Sequence, residues 1–202
     1  SPGGFEESDA EEFMEEGEAV ELIRKPFNTS LDLTTGVLVP EGVKVIRRLS
    51  DMKAMYQDQN EAGVMISEGD PVVYVVYNVP VPEAYGELQH CTSIIYPGRV
   101  GNEFFMTKGH FHAKVDTSEV YLTLQGEGIL LMQSEKGETA TLPMFPGSVS
   151  YIPPYWAHRS VNVGSTPLVI FAVYPGDAGH NYRIIEEKGF AKIVVAQGDK
   201  PT

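Results

Sequence analysis

Two histidines stand one residue apart in the stretch TKGHFHAKVDTSEVYLTLQGEG, residues 107–128, of a chain that holds five histidines in all. In an extended strand alternate side chains share a face, so His110 and His112 point one way and Phe111 the other. Two imidazoles so placed can hold one metal ion. Glu119 begins the next apolar alternation, and a chain turning back over Lys114–Ser118 brings its carboxylate toward the same face. A third imidazole, His158, follows in SVSYIPPYWAHRSVN after a further strand-like run and a Pro-Pro turn. Three histidines and one glutamate form a nitrogen and oxygen donor set suited to Fe, Mn, Ni, Co or Zn, with room in an octahedral shell for water or substrate. A single strand histidine is more often a hydrogen-bonded structural residue than a ligand. The His-x-His spacing, the downstream Glu and the Pro-Pro-x-x-x-His run together favour the metal.

Other groups near this quartet could act on a bound molecule. Tyr121 shares the strand face of Glu119 by the two-residue period, so its hydroxyl either meets a ligand and orients the carboxylate or fills the mouth of a barrel. Thr107-Lys108-Gly109 offers a hydroxyl, a main-chain N–H and an ammonium to an anion, with Gly109 permitting close backbone approach, although a lysine in such a turn more often faces solvent. Cys91, the lone cysteine, excludes an intramolecular disulfide framework and reads as a buried small apolar residue. His90 fits none of these patterns and reads as structural or exposed.

The elements that must position these residues are short. PVVYVVYNV, CTSIIYP, EFFMT, EVYLTLQG, GILLMQ, SVSYIP and PLVIFAVYP are strand-like runs separated by turn residues from residue 70 onward. Their close spacing predicts an antiparallel sandwich or barrel. Residues 22–49 add two further strands with a turn at Thr35-Gly36. Helical periodicity is confined to 51–66, started by Ser50 or Asp51, and to 181–190, closed by Gly189.

Composition limits the partners. The 202 residues suit one core-bearing domain, and a net charge of −13 argues against nucleic acid or an anionic membrane. Nine of the first 21 residues are Asp or Glu, which makes 1–21 a solvated acidic arm and 22–202 the folded domain. That arm is unlike a signal peptide, and no 18-residue apolar run occurs, so a soluble, cytoplasmic protein is expected.

The motifs resemble those of the cupin superfamily. Its first motif, G-x5-H-x-H-x3,4-E-x6-G, is matched by His110, His112, Glu119 and Gly126, and its second, G-x5-P-x-G-x2-H-x3-N, by Gly147, Pro153, His158 and Asn162. Three departures stand out: Phe104 replaces the first glycine, the gap before Glu119 is long, and Tyr155 replaces the second motif's inner glycine. These departures match one subgroup. TKGHFHAK, PPYWAHRSVN and YPGDAGHNY are similar to the signatures of the cupin-type phosphoglucose isomerases of archaea, and RRLSDM and DPVVYVVY extend the resemblance to residues 22–196.

The resemblance implies an all-β cupin double-stranded β-helix, or jelly-roll barrel, with a few short peripheral helices. It implies an enzyme of glycolysis and gluconeogenesis that interconverts glucose 6-phosphate and fructose 6-phosphate. One divalent ion per subunit, Fe2+ foremost and Mn2+, Ni2+, Co2+ or Zn2+ otherwise, would sit on His110, His112, Glu119 and His158. Glu119, acting as base through a cis-enediol, would be joined in catalysis by Tyr121 and His180; a hydride shift is the other route. Tyr74, Ser93, Thr107, Lys108, Gly109, Tyr174 and Tyr182 would bind the phosphorylated sugar. A homodimer paired through residues 22–50 is expected by the same analogy. Two other readings use the same quartet: an Fe(II) dioxygenase and a non-catalytic sugar-binding cupin.

Overall fold

The computed structural model describes residues 25–198 and 200–202, so the acidic arm lies outside the described residues. Among the described residues nine strands of four or more residues build the two main sheets: β1 (Val43–Arg48), β2 (Val72–Asn78), β3 (Leu88–Ile95), β4 (Glu119–Gln125), β5 (Gly128–Ser134), β6 (Thr139–Met144), β7 (Val149–Ile152), β8 (Trp156–Asn162) and β9 (Leu168–Pro175). Six form one sheet in the order β7-β4-β9-β3-β2-β1 and three form a second in the order β6-β5-β8, with every pair antiparallel. This is the cupin jelly roll.

Alternation drives the packing. Val73 and Ile95 from the large sheet meet Leu130 and Met132 from the small one, and Ile152, Leu168 and Ile170 complete a core from which water is nearly absent. Each such side chain, fully buried, contributes about 1.5–3 kcal/mol. A second cluster of Leu38, Val75, Tyr77, Ile94 and Val169 seats the hairpin of Ser30–Leu31 and Leu38–Val39 on the outer face of the large sheet.

Several expectations need correction. The helix expected over 51–66 is broken: Leu49–Met52 makes one α turn, Lys53–Met55 a 3-10 turn, and α1 runs from Gln59 to Glu68. Asp58 accounts for the break, because its carboxylate accepts the Glu61 N–H at 2.9 Å and caps a new helix there. The final helix, α2, spans Arg183–Lys188 and ends at Gly189 as expected. EFFMT is a strand only over Glu103–Phe104, and beyond it Met106 and His110 touch β8 through isolated bridges to Val161 and His158. Two strands, β6 and β8, escaped the pattern. β6 lies at an edge, which tolerates Pro143, and β8 is buried on both faces despite its His, Arg, Ser and Asn.

Candidate metal centre

His110 and His112 lie on an extended segment outside the sheets, and main-chain bonds place them. The N–H of His110 donates to the carbonyl of His158 at 3.3 Å and the N–H of His158 donates back at 3.1 Å. The side chains of His110 and His112 share a face, with rings 5.9 Å apart and nearly parallel. Glu119 opens β4, paired with Ile152 of β7, so its carboxylate projects from the large sheet toward His158 on the small one. One donor atom from each of His110, His112, Glu119 and His158 lies within 4.8 Å of every other.

The donor set fits a cation. Donors each about 2.0–2.3 Å from one ion lie no more than about 4.6 Å apart, so closure needs a sub-ångström adjustment. Nε2 of His110 and Nε2 of His158 are enclosed and lack hydrogen-bond partners, a costly state for two buried nitrogens without an ion. Nε2 of His112 and Nε2 of His158 both approach Glu119 Oε2, at 3.0 and 2.9 Å, although only the His112 contact has hydrogen-bond geometry. On the far side of its ring, His112 Nδ1 sits 3.1 Å from the Thr117 carbonyl and 2.9 Å from its hydroxyl. An Nδ1–H donated there leaves Nε2 with its lone pair toward the cluster. The long gap between His112 and Glu119 therefore has a use: it carries Thr117.

Burial would raise the pKa of Glu119, but His158 and His112 outweigh it and hold the carboxylate low, at about 2. Burial and the neighbouring imidazoles push His110 well below its ordinary value, so the ring stays neutral and able to ligate.

The cluster opens on a cavity lined by Tyr74, Ser93, Thr107, Lys108, Gly109, Tyr121, Tyr174, His180 and Tyr182, so the residues selected from the sequence converge. His180 and Tyr182 stack at 5.8 Å with an 8° angle, and His180 lies 4.5 Å from the His110 ring. Their loop is tied to the histidine segment: Phe111 and Asn181 exchange main-chain bonds of 3.2 and 2.8 Å, and the Lys114 N–H donates to Ala178 at 2.8 Å. Lys114 also pairs with Asp177 at 2.8 Å. His180 does not cap α2, whose N-cap is Tyr182. Burial raises the Tyr121 and Tyr174 hydroxyls above the ordinary phenol range and keeps them protonated donors.

Lys108 lines this cavity, and its ammonium lies 3.4 Å from Glu186. Sequence reasoning missed Arg47. Paired in register with Tyr74 on β1 and β2, it lines the cavity and has no carboxylate within ion-pair distance among the described residues. Only its place in RRLSDM could have flagged it. Cys91 is buried at the cavity wall, where burial raises its thiol pKa, and His90 Nδ1 contacts the Leu88 carbonyl at 3.0 Å.

A jelly roll holding three imidazoles and one carboxylate around a single point is the arrangement of a cupin able to hold one metal ion. The family model for glucose-6-phosphate isomerase matches residues 46–201. The glucose-6-phosphate isomerase of Thermococcus litoralis is 50% identical over 177 residues, covering 88% of this chain and 93% of that one. That of Pyrococcus abyssi is 47% identical, covering 87% and 93%, and a putative glucose-6-phosphate isomerase 2 of Rhizobium meliloti is 34% identical, covering 87% and 88%. The chain belongs to the cupin-type glucose-6-phosphate isomerase family.

Proposed function

We propose that this protein is a metal-dependent aldose–ketose isomerase that interconverts glucose 6-phosphate and fructose 6-phosphate. The observation that carries this reading is one cavity that reaches the His/Glu quartet through His110, Glu119 and His158 and has, beside it, a Thr-Lys-Gly turn suited to an anion. A bound divalent ion, iron foremost, would supply Lewis-acid polarisation of the sugar's C1 and C2 oxygens. His110, His112, Glu119 and His158 would hold it.

The chain's own groups do the remaining work. Glu119 Oε2 faces the two imidazoles, and the other carboxylate oxygen takes the proton between C1 and C2 through a cis-enediol. Tyr121, on the same strand face, orients that carboxylate or the sugar. Burial lowers the pKa of His180, although the Glu119 charge opposes it, and a neutral imidazole at that position can pass a proton during ring opening. Thr107, the amides of Lys108 and Gly109, Ser93, Tyr74 and Tyr174 receive the phosphate end, with Tyr182 along the sugar. The reading includes a cytoplasmic setting in glycolysis and gluconeogenesis. It also includes a homodimer paired through residues 22–50, in which Val43 and Ile46 leave 56% and 42% of their surface exposed on edge strand β1.

The test is turnover of fructose 6-phosphate by protein stripped with chelator and then supplied separately with Fe(II), Mn(II), Ni(II), Co(II) or Zn(II). Activity that vanishes on stripping and returns with at least one ion supports the reading. Oxygen uptake with Fe(II), without isomerisation under any ion, would replace it with the dioxygenase.

A further inference from the structure

Arg159 follows His158 in β8 and therefore points to the opposite face, into the protein rather than into the metal cluster. It is 3% exposed, and among the described residues no carboxylate lies within ion-pair distance of it. Instead Nε donates to the Thr107 carbonyl at 3.0 Å and a terminal nitrogen donates to the Lys108 carbonyl at 2.7 Å. The guanidinium lies 4.5 Å over the Phe190 ring, which fixes its plane. A buried arginine spent on two consecutive peptide carbonyls calls for an explanation.

The local register supplies one. Met106 bridges Val161 and His110 bridges His158, so four steps of one segment oppose three of β8 and one residue is extra. The excess is taken up at Gly109, whose φ of +78° no side chain adopts readily and whose added Cβ would lie 2.6 Å from Phe190 and 3.2 Å from Arg159. In a planar trans peptide the C=O and the following N–H point in opposite directions. Because Arg159 draws the carbonyls of Thr107 and Lys108 to itself, the N–H groups of Lys108 and Gly109 point away from it, toward the cavity. The Lys108 amide faces the Tyr74 hydroxyl, a cavity-lining group, and neither amide makes a main-chain hydrogen bond among the described residues.

We infer that Arg159 is a positioning residue: by holding the Thr107 and Lys108 carbonyls it aims two consecutive amides at the phosphate end of the substrate. It never touches the ligand. Its guanidinium charge also polarises both peptides so that their positive ends face the anion. This inference rests on the phosphosugar reading above.

The test compares Arg159→Met and Arg159→Lys with the unaltered holoenzyme in three measurements: KM and kcat for fructose 6-phosphate, competitive inhibition by inorganic phosphate, and bound metal. The Met variant is expected to raise KM and the phosphate inhibition constant together by about tenfold, the scale of a lost charge-assisted hydrogen bond, with kcat within about threefold and metal retained. Lys, which keeps the charge and one donor, should fall between. A phosphate inhibition constant unchanged in both variants, or a loss of kcat and metal without a change in KM, would overturn the inference. Should the Met variant fail to fold, the Lys variant decides: an unaltered inhibition constant refutes, a raised one supports. If the unaltered holoenzyme does not turn over fructose 6-phosphate, the phosphosugar reading itself fails, which is a separate outcome.

Discussion

His110 and His158 face each other across a reciprocal pair of main-chain hydrogen bonds, and their rings stand 4.6 Å apart at 66°. The backbone sets this pairing, so it survives loss of either imidazole. His158→Ala should therefore keep its far-UV circular dichroism while metal affinity falls by at least about 100-fold and turnover falls with it. Metal analysis alongside the coupled assay checks this; full metal content would remove His158 from the site.

Glu119→Gln keeps the shape but not the charge. The three imidazoles should still retain much of the metal, whereas turnover should drop by at least about 100-fold, the range of a lost general base. Near-normal turnover would transfer the base to another group.

Arg47 and Lys108 both line the cavity, but Lys108 already has Glu186 beside it. Arg47→Met should raise KM for fructose 6-phosphate by about tenfold, and Lys108→Ala by less than about threefold, with kcat less affected in both. Steady-state kinetics would show the reverse order if Lys108 swings to the phosphate.

Glu103 is buried, and only its Oε1 has a partner, the Gln57 N–H at 3.1 Å; Oε2 has none. Burial raises its pKa against the opposing Gln57 and Arg159 contributions. A carboxyl with a raised folded-state pKa disfavours the fold once ionised, so its cost is absent in acid and present above that pKa. Glu103→Gln should consequently raise the thermal midpoint at pH 7 and leave it unchanged near pH 4. Equal shifts at both pH values would show packing rather than charge at work.

Tyr155 occupies the position of a motif glycine and keeps its left-handed backbone, with φ at +72°, while its N–H donates to Val115 at 2.7 Å. The side chain is 51% exposed and loses little by removal. Tyr155→Gly should raise stability by about 1 kcal/mol through relief of that strain. Denaturant titration would expose a structural role for the ring if stability fell.

How much of this was legible follows from where each signal lived. His110, His112 and Glu119 were readable because strand alternation and a reversing turn put them on faces that can meet, and His158 because it stands in the second motif of the cupin resemblance. The strand that carries His158 was not, since β8 is buried on both sides and breaks the alternation that marks a half-exposed strand. The helix over 51–66 failed for a local reason, the stronger cap at Asp58. Arg47 and Arg159 were invisible for a different one: an arginine's partners here come from distant segments, Tyr74 in one case and Thr107 and Lys108 in the other.

The bonds that tie residues 178–181 to residues 111–114 also fix one wall of the cavity. A loop held by three main-chain bonds and an ion pair is fastened to the segment bearing His110 and His112, which makes it a wall and not a door. On another side of the cavity β1, which carries Arg47, is hydrogen-bonded within the sheet to β2 alone, so that part of the wall is held by a single strand pairing.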